Sequence, residues 1–140
     1  RYPLVTGVQT CALPIFFPLA QFLGMTVETT GEGKGRATVT IDDRHHNPNA
    51  VAHGGVVFTM VDTSMGAATM SVVEEGHYCS TIEIQVRYLR PVLNGTLVVE
   101  TQVIKPGRRI VHLESRATDQ EGRLVATATG SYAVLPIPSS

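Results

Sequence analysis

Residues 54–73 contain no Lys, Arg, Glu or His, and Asp62 is the only residue among them that can carry a charge. Their pattern predicts a helix that extends to about residue 75 and is apolar on almost every side. A helix without a polar face has to be buried. Because its many β-branched residues lower its intrinsic propensity, tertiary packing must hold it. The rest of the chain therefore has to surround this helix.

That surrounding structure is predicted to be strand. A short helix at residues 17–23 precedes two strands at residues 25–30 and 35–42, which the turn-forming GEGKG segment joins as a hairpin. Four more strands follow the long helix, at residues 81–88, 96–104, 109–118 and 123–135. Their alternation is typical of half-buried antiparallel strands. One buried helix and six strands predict an α+β fold, with a single curved antiparallel sheet wrapped around the helix.

Alternation also assigns faces within the strand at residues 81–88. Ile82, Ile84 and Val86 share one predicted face with Tyr88, whereas Thr81 lies on the opposite face. The polar loop at residues 44–52 carries His45 and His46, which we expect at the surface.

The composition excludes several classes of protein. With 140 residues, 43% hydrophobic and 16% charged, the chain suits one domain with a core. The net charge of -1 argues against a nucleic-acid partner. Neither Cys11 nor Cys79 belongs to a ligand cluster, so no disulfide scaffold and no metal site are expected. Six polar residues make residues 54–73 a poor membrane span, so no membrane association is expected.

The first residues are set apart from the domain. Residues 5–15, VTGVQTCALPI, resemble a translated sequencing adapter. We therefore predict a non-native leader at residues 1–16 and a single domain at residues 17–140. Pro3, Gly7 and Pro14 interrupt any apolar run, so no secretory signal is recognised and a cytoplasmic location is expected.

The start of the long helix carries a candidate active site. Free N–H groups at a helix N-terminus can polarise a carbonyl or hold an oxyanion, and glycine lets a substrate approach the backbone. The sequence His53-Gly54-Gly55 supplies such a start, and Asn47 and His53 flank it. Asp62 would act as the base or nucleophile.

Spacing adds a constraint on this site. Gly54 and Asp62 are eight residues apart, which corresponds to roughly 12 Å along one helix. Both cannot easily reach one carbonyl carbon. If they act on the same bond, a second copy of the chain must bring its Asp62 beside the first copy's Gly54, at a two-fold interface.

The order of Asn47, His53-Gly54-Gly55 and Asp62, followed by the strand TIEIQVRYLRP, resembles the hotdog-fold acyl-CoA thioesterases of the phenylacetate-degradation (PaaI-like) type over residues 19–135. The resemblance implies a hotdog fold and a homodimer or homotetramer that uses no cofactor or metal. It also implies that Gly54 N–H polarises the thioester carbonyl while Asp62 of the other subunit activates water or attacks directly. Asn47 and His53 would orient the reacting groups, and Thr81 would hold the water, with the adjacent Ser80 as the alternative.

Several residues are expected to bind the rest of an acyl-CoA substrate. Gly55 adjoins the polarising N–H, and four basic residues at strand turns suit the phosphates of coenzyme A or are solvated strand-end charges. These four are Arg90, Lys105, Arg108 and Arg109. Two other functions stay open: a non-catalytic acyl-CoA-binding or sensing module, in which Asp62 is structural, and a hotdog dehydratase acting on hydroxyacyl thioesters.

Overall fold

A computed structural model describes residues 15–139 of the protein and confirms the predicted α+β architecture. Six antiparallel strands form one sheet in the order β1-β2-β4-β5-β6-β3. The long helix α2 packs on one face of this sheet. The elements are α1 (Pro18–Leu23), β1 (Thr26–Gly31), β2 (Lys34–Ile41), α2 (Gly54–Met70), β3 (His77–Tyr88), β4 (Gly95–Lys105), β5 (Ile110–Thr118) and β6 (Leu124–Pro136).

Helix α2 ends earlier than predicted, at Met70, and β3 begins earlier, at His77. The Ser71 hydroxyl donates to Ala68 O at 2.7 Å and accepts the Gly33 N–H at 2.8 Å, which ties the helix end to the turn between β1 and β2. A serine that bonds the backbone in this way competes with continuation of the helix. Most of the predicted leader lies outside the described residues, although Ile15 N–H donates to Val27 O at 2.7 Å.

Close contact holds α2 against the centre of the sheet. A methyl group at Gly35 of β2 would overlap the Ser64 carbonyl, so only glycine lets the helix lie this close. The buried Ser64 hydroxyl donates to Thr101 Oγ1 at 2.8 Å, and Thr101 Oγ1 lies 2.6 Å from Ser115 Oγ. These three hydroxyls satisfy one another and connect α2 to β4 and β5.

Helix α2 is buried as predicted over most of its surface, but one side stays partly accessible in a single chain. Its inner face is buried, but a stripe with helical spacing stays partly accessible, and Phe58 on that stripe is 40% exposed. The stripe consists of Gly55, Phe58, Thr59, Asp62, Thr63 and Gly66. Asp62 is thus half-buried, on the side of α2 that contacts β3.

A β-bulge in β3 changes the predicted facing of its side chains. Thr81 pairs with Tyr132 and Glu83 with Ser131, which leaves Ile82 as an extra residue. Ile82 is 53% exposed, while Ile84 packs against the core and Thr81 also turns toward α2. The predicted alternation was therefore wrong at Ile82 and Thr81, because an extra residue shifts the two-residue period by one.

The loop before α2 also differs from its prediction. His45 ends a 3₁₀ turn at Asp43–His45 and is only 2% exposed, so its predicted surface position was wrong. Its Nδ1 accepts the Asp42 N–H at 2.9 Å, and its Nε2 lies 2.8 Å from Leu23 O, so both ring nitrogens are satisfied inside the core. Among residues 15–139, no helix has the length and apolar character needed to cross a membrane.

Candidate active site

The start of α2 leaves one backbone donor available. His53 is the N-cap, and its Nδ1 accepts the Gly55 N–H at 2.7 Å, while its carbonyl accepts the Val56 N–H at 2.9 Å. Within residues 15–139, Gly54 N–H has no hydrogen-bond partner. This donor lies at the positive end of a 17-residue helix, where it can bind a carbonyl oxygen or an oxyanion.

The capping contact also fixes the chemistry of His53. Because Nδ1 accepts a hydrogen bond, the neutral ring carries its proton on Nε2, which is the remaining donor. The Gly55 N–H is occupied by the same contact, so the predicted substrate contact at Gly55 would have to use other atoms.

A groove of about 410 Å³ lies beside Gly54 and brings together three of the predicted residues, Asn47, Gly54 and Arg90. Tyr88 also lines it and donates its hydroxyl to Gly54 O at 2.7 Å. Burial raises the pKa of Tyr88, which keeps that hydroxyl protonated. The other lining residues are mostly apolar: Ala52, Val57, Leu89, Pro91, Val92 and Val125.

Asn47 organises the loop that forms one side of the groove. Its Oδ1 accepts the Asn49 N–H at 2.8 Å and the Val51 N–H at 3.4 Å. Its side-chain NH₂ makes no hydrogen bond within the described part of the chain. Asn47 can therefore shape the loop with its oxygen and still donate to a ligand with its nitrogen.

The Asp62 carboxylate sits in a separate cluster with two hydroxyls. Thr81 Oγ1 donates to Asp62 Oδ1 at 2.7 Å, and Tyr132 makes a very short hydrogen bond to the same oxygen. The Tyr132 hydroxyl also lies 2.6 Å from the Asp62 carbonyl oxygen. Among residues 15–139, nothing donates to Asp62 Oδ2, and Ser80 does not reach the carboxylate.

Both other titratable groups of this cluster stay neutral at ordinary pH. Burial, reinforced by the adjacent Asp62, raises the pKa of Tyr132 far above its usual value. Burial and the same carboxylate raise the pKa of Cys79 to about 11. Cys79 is therefore a poor nucleophile here, because the thiolate is the reactive form.

One chain does not bring all the predicted residues together. Asp62 does not line the Gly54 groove, and eight helical residues separate the two by roughly 12 Å. Lys105, Arg108 and Arg109 lie around the turn between β4 and β5, where Arg108 shares a second cavity with Glu74 beyond the end of α2. The length of α2, about 25 Å, separates this turn from the helix start.

Tyr88 and Tyr132 were missed at the level of the sequence. The alternation in β6 could have indicated that Tyr132 is buried, because Tyr132 continues the buried face formed by Ala126, Ala128 and Gly130. A tyrosine on a buried strand face requires a partner for its hydroxyl. Asp62, the one charged residue of the apolar helix, is the natural candidate.

Comparison with known proteins shows the family to which this chain belongs. The family model of the thioesterase superfamily matches residues 49–126. A Saccharolobus solfataricus protein that bears the name of an esterase is 31% identical over 115 residues, covering 81% of this chain and 75% of its own length. The proofreading thioesterase EntH of Klebsiella pneumoniae is 28% identical over 113 residues, covering 81% of this chain and 82% of its own.

Solved structures show the same architecture. A thioesterase from Haemophilus influenzae superimposes with a TM-score of 0.81 at 26% identity, covering 86% of this chain and 85% of its own. The PaaI protein of the E. coli phenylacetic acid degradation operon gives a TM-score of 0.76 at 25% identity, covering 87% and 86%. The chain therefore belongs to the thioesterase superfamily, as a PaaI-like thioester hydrolase with the hotdog fold.

Proposed function

We propose that this protein hydrolyses acyl-CoA thioesters to a free acid and coenzyme A, at a site completed by two subunits. The observation that carries the proposal is the separation of Gly54 and Asp62 within one chain. The Gly54 N–H, which has no partner within residues 15–139, opens onto a groove. The half-buried Asp62 lies about 12 Å further along α2. A two-fold axis would place each Asp62 beside the other copy's Gly54.

The edge of the sheet supports this assembly. Strand β3 pairs with β6 on one side and with no described strand on the other. Its free backbone groups can pair with a second β3. Ile82 on that strand and Phe58 on α2 are large, apolar and exposed in one chain, so covering both would favour association. A homodimer, alone or as half of a homotetramer, fits these surfaces.

The proposed reaction uses the groups at both ends of the site. Gly54 N–H donates to the thioester carbonyl oxygen and stabilises the negative charge that develops there. The partner subunit's Asp62 removes a proton from water, and the water oxygen bonds to the carbonyl carbon. The C–S bond then breaks, and the protonated Asp62 returns its proton to the departing thiolate. Direct attack by Asp62 would break the C–S bond, release the thiolate and form an anhydride, which water then cleaves to give the same products.

The surrounding residues have supporting roles in this proposal. The Thr81 hydroxyl donates to Asp62 and keeps lone pairs that can accept a hydrogen bond from the water. The Nε2 of His53 and the side-chain NH₂ of Asn47 can donate to the substrate. Arg90 at the groove, and Lys105, Arg108 and Arg109 of the other subunit, offer positive charge to the phosphates of coenzyme A.

A thiol-release assay tests this function. We expect turnover of acyl-CoAs across a panel of aryl and straight-chain acyl groups. The double variant Arg108→Ala and Arg109→Ala should raise KM for acyl-CoA with little change in kcat, since contacts remote from the reacting carbon bind ground state and transition state alike. A truncated thioester without the nucleotide serves as the control and should be unaffected.

Other outcomes of this panel would contradict the proposal. An equal loss on both substrates would assign the two arginines a structural role. Binding of acyl-CoA without turnover would favour the sensing module, and interconversion of enoyl-CoA and hydroxyacyl-CoA without thiol release would favour the dehydratase.

The role of the Gly54 N–H can be tested by removing only that donor. Gly54→Pro is suited to the task, because proline fits the first helical position and His53 is already extended, with φ -62° and ψ 138°. We expect kcat to fall by about 100- to 1,000-fold, as for loss of one oxyanion donor.

Gly54→Ala is the matched control for this variant. It keeps the N–H and adds the same Cβ, which would lie 3.2 Å from the Tyr88 ring. Comparable losses in both variants, measured as kcat on one acyl-CoA, would show that crowding against Tyr88 matters and that the donor does not.

A further inference from the structure

We propose that Tyr132 is a positioning residue, which orients the Asp62 carboxylate for reaction. The inference rests on the proposed catalytic role of Asp62. Tyr132 itself would touch neither the substrate nor the water, because it is 2% exposed and its hydroxyl is engaged by Asp62.

The contacts of Tyr132 hold both the main chain and the side chain of Asp62. The Tyr132 side chain extends from β6 to α2. There its hydroxyl forms a hydrogen bond with Asp62 Oδ1 and lies 2.6 Å from the Asp62 carbonyl oxygen. Tyr132 is also the cross-strand partner of Thr81, so the sheet places the two hydroxyls side by side. The position of this carboxylate is thus set by the sheet as well as by its own helix.

Two donors on one oxygen determine which oxygen can react. The terminal torsion of an aspartate is soft, so a carboxylate with one hydrogen bond can rotate. Thr81 and Tyr132 both engage Oδ1, and within residues 15–139 Oδ2 receives no donor. Oδ2 is therefore left to take the proton from water or to attack the carbonyl carbon.

The same arrangement supplies the hydrogen-bond donors of the carboxylate. Hydrogen bonds to the ionised form of an acid stabilise that form. The groups facing Asp62 are Thr81 and Cys79 on β3 and Tyr132 on β6, and all three are neutral at ordinary pH. With no described cation against the carboxylate, these hydroxyls are its principal stabilising partners.

Tyr132→Phe removes the hydroxyl with almost no change in volume. We expect kcat to fall about 10- to 100-fold, as for loss of a hydrogen bond to a charged group, with KM nearly unchanged. The acid limb of kcat/KM against pH should move to higher pH, since the ionised carboxylate loses a donor. His53, which also belongs to the composite site, is untouched by this variant.

Tyr78→Phe is the matched control, because Tyr78 lies on β3 beside Leu135 and makes no hydrogen bond with its hydroxyl among the described residues. It should keep the kcat and the pH profile of the parent. A second variant, with 3-fluorotyrosine in place of Tyr132, keeps the hydroxyl but makes it a stronger donor. Its acid limb should move to lower pH.

Failure of this inference is distinguishable from failure of the proposed function. If Asp62→Asn is inactive while Tyr132→Phe and the fluorinated protein keep the parental kcat and pH profile, Tyr132 is only structural and the inference is overturned. If Asp62→Asn is fully active, the proposed function fails first. On the Asp62→Asn background, Tyr132→Phe should cause no further loss, and an additional loss there would also contradict the inference.

Discussion

Replacing Asp62 with Asn is expected to lower kcat by about three orders of magnitude or more, the scale of losing a general base or nucleophile. An amide has nearly the volume of a carboxylate but neither accepts a proton readily nor attacks carbon. Its oxygen can still accept from Thr81 and Tyr132, which donate to Oδ1 in the parent. Fold and oligomeric state should therefore be retained.

Steady-state kinetics and coenzyme A binding, measured on the same preparation, check this result. Asp43→Asn is the control, because it makes the same change of charge on a fully exposed side chain away from the cluster. Retained coenzyme A binding would place the loss in the chemical step. If Asp62→Asn turned over substrate at the parental rate, Asp62 would be a structural residue. The non-catalytic sensing module would then be favoured over the proposed catalytic site.

Mixing two inactive variants is expected to restore activity. In a mixed dimer of Asp62→Asn and Gly54→Pro, one of the two composite sites combines an intact Gly54 with an intact Asp62, and the other has neither. Random pairing makes half of the dimers mixed. Recovery of about one quarter of the parental specific activity follows from the closed two-fold symmetry.

The measurement requires exchange of subunits, by co-expression with two affinity tags or by mild denaturation and refolding. As a control, Asp62→Asn is mixed with a chain that carries both substitutions, a combination in which no site has an Asp62. No activity should return in that mixture. If Asp62→Asn and Gly54→Pro also fail to complement each other, each site lies within one chain.

The sequence was sufficient to predict the helix, the six strands, and the helix start and carboxylate of the candidate site. Periodicity distinguishes a helix from strands over long segments, and one carboxylate in an uncharged helix is conspicuous. The local sequence also shows the helix start, because His53-Gly54-Gly55 follows a turn-rich loop. These features depend only on neighbours along the chain.

Features that depend on distant contacts could not be predicted in the same way. The bulge at Ile82 depends on how β3 pairs with β6, and it reverses the predicted facing of Thr81. The burial of His45 depends on the Leu23 carbonyl, 22 residues away in the sequence. The hydrogen bond between Tyr132 and Asp62 joins residues that are 70 positions apart in the sequence. In each case the local pattern leaves the partner undetermined.

The close seating of α2 on Gly35 bears on how such an enzyme can acquire new substrates. The helix lies directly on the backbone of β2, and the Ser64 hydroxyl links it to the sheet two residues after Asp62. Because these contacts hold the helix against the sheet, the reacting groups would keep their places when the groove is remodelled. Substitution of Leu89, Val92 or Val125, which line the groove, should therefore change which acyl group is accepted while the positions of the reacting groups stay the same.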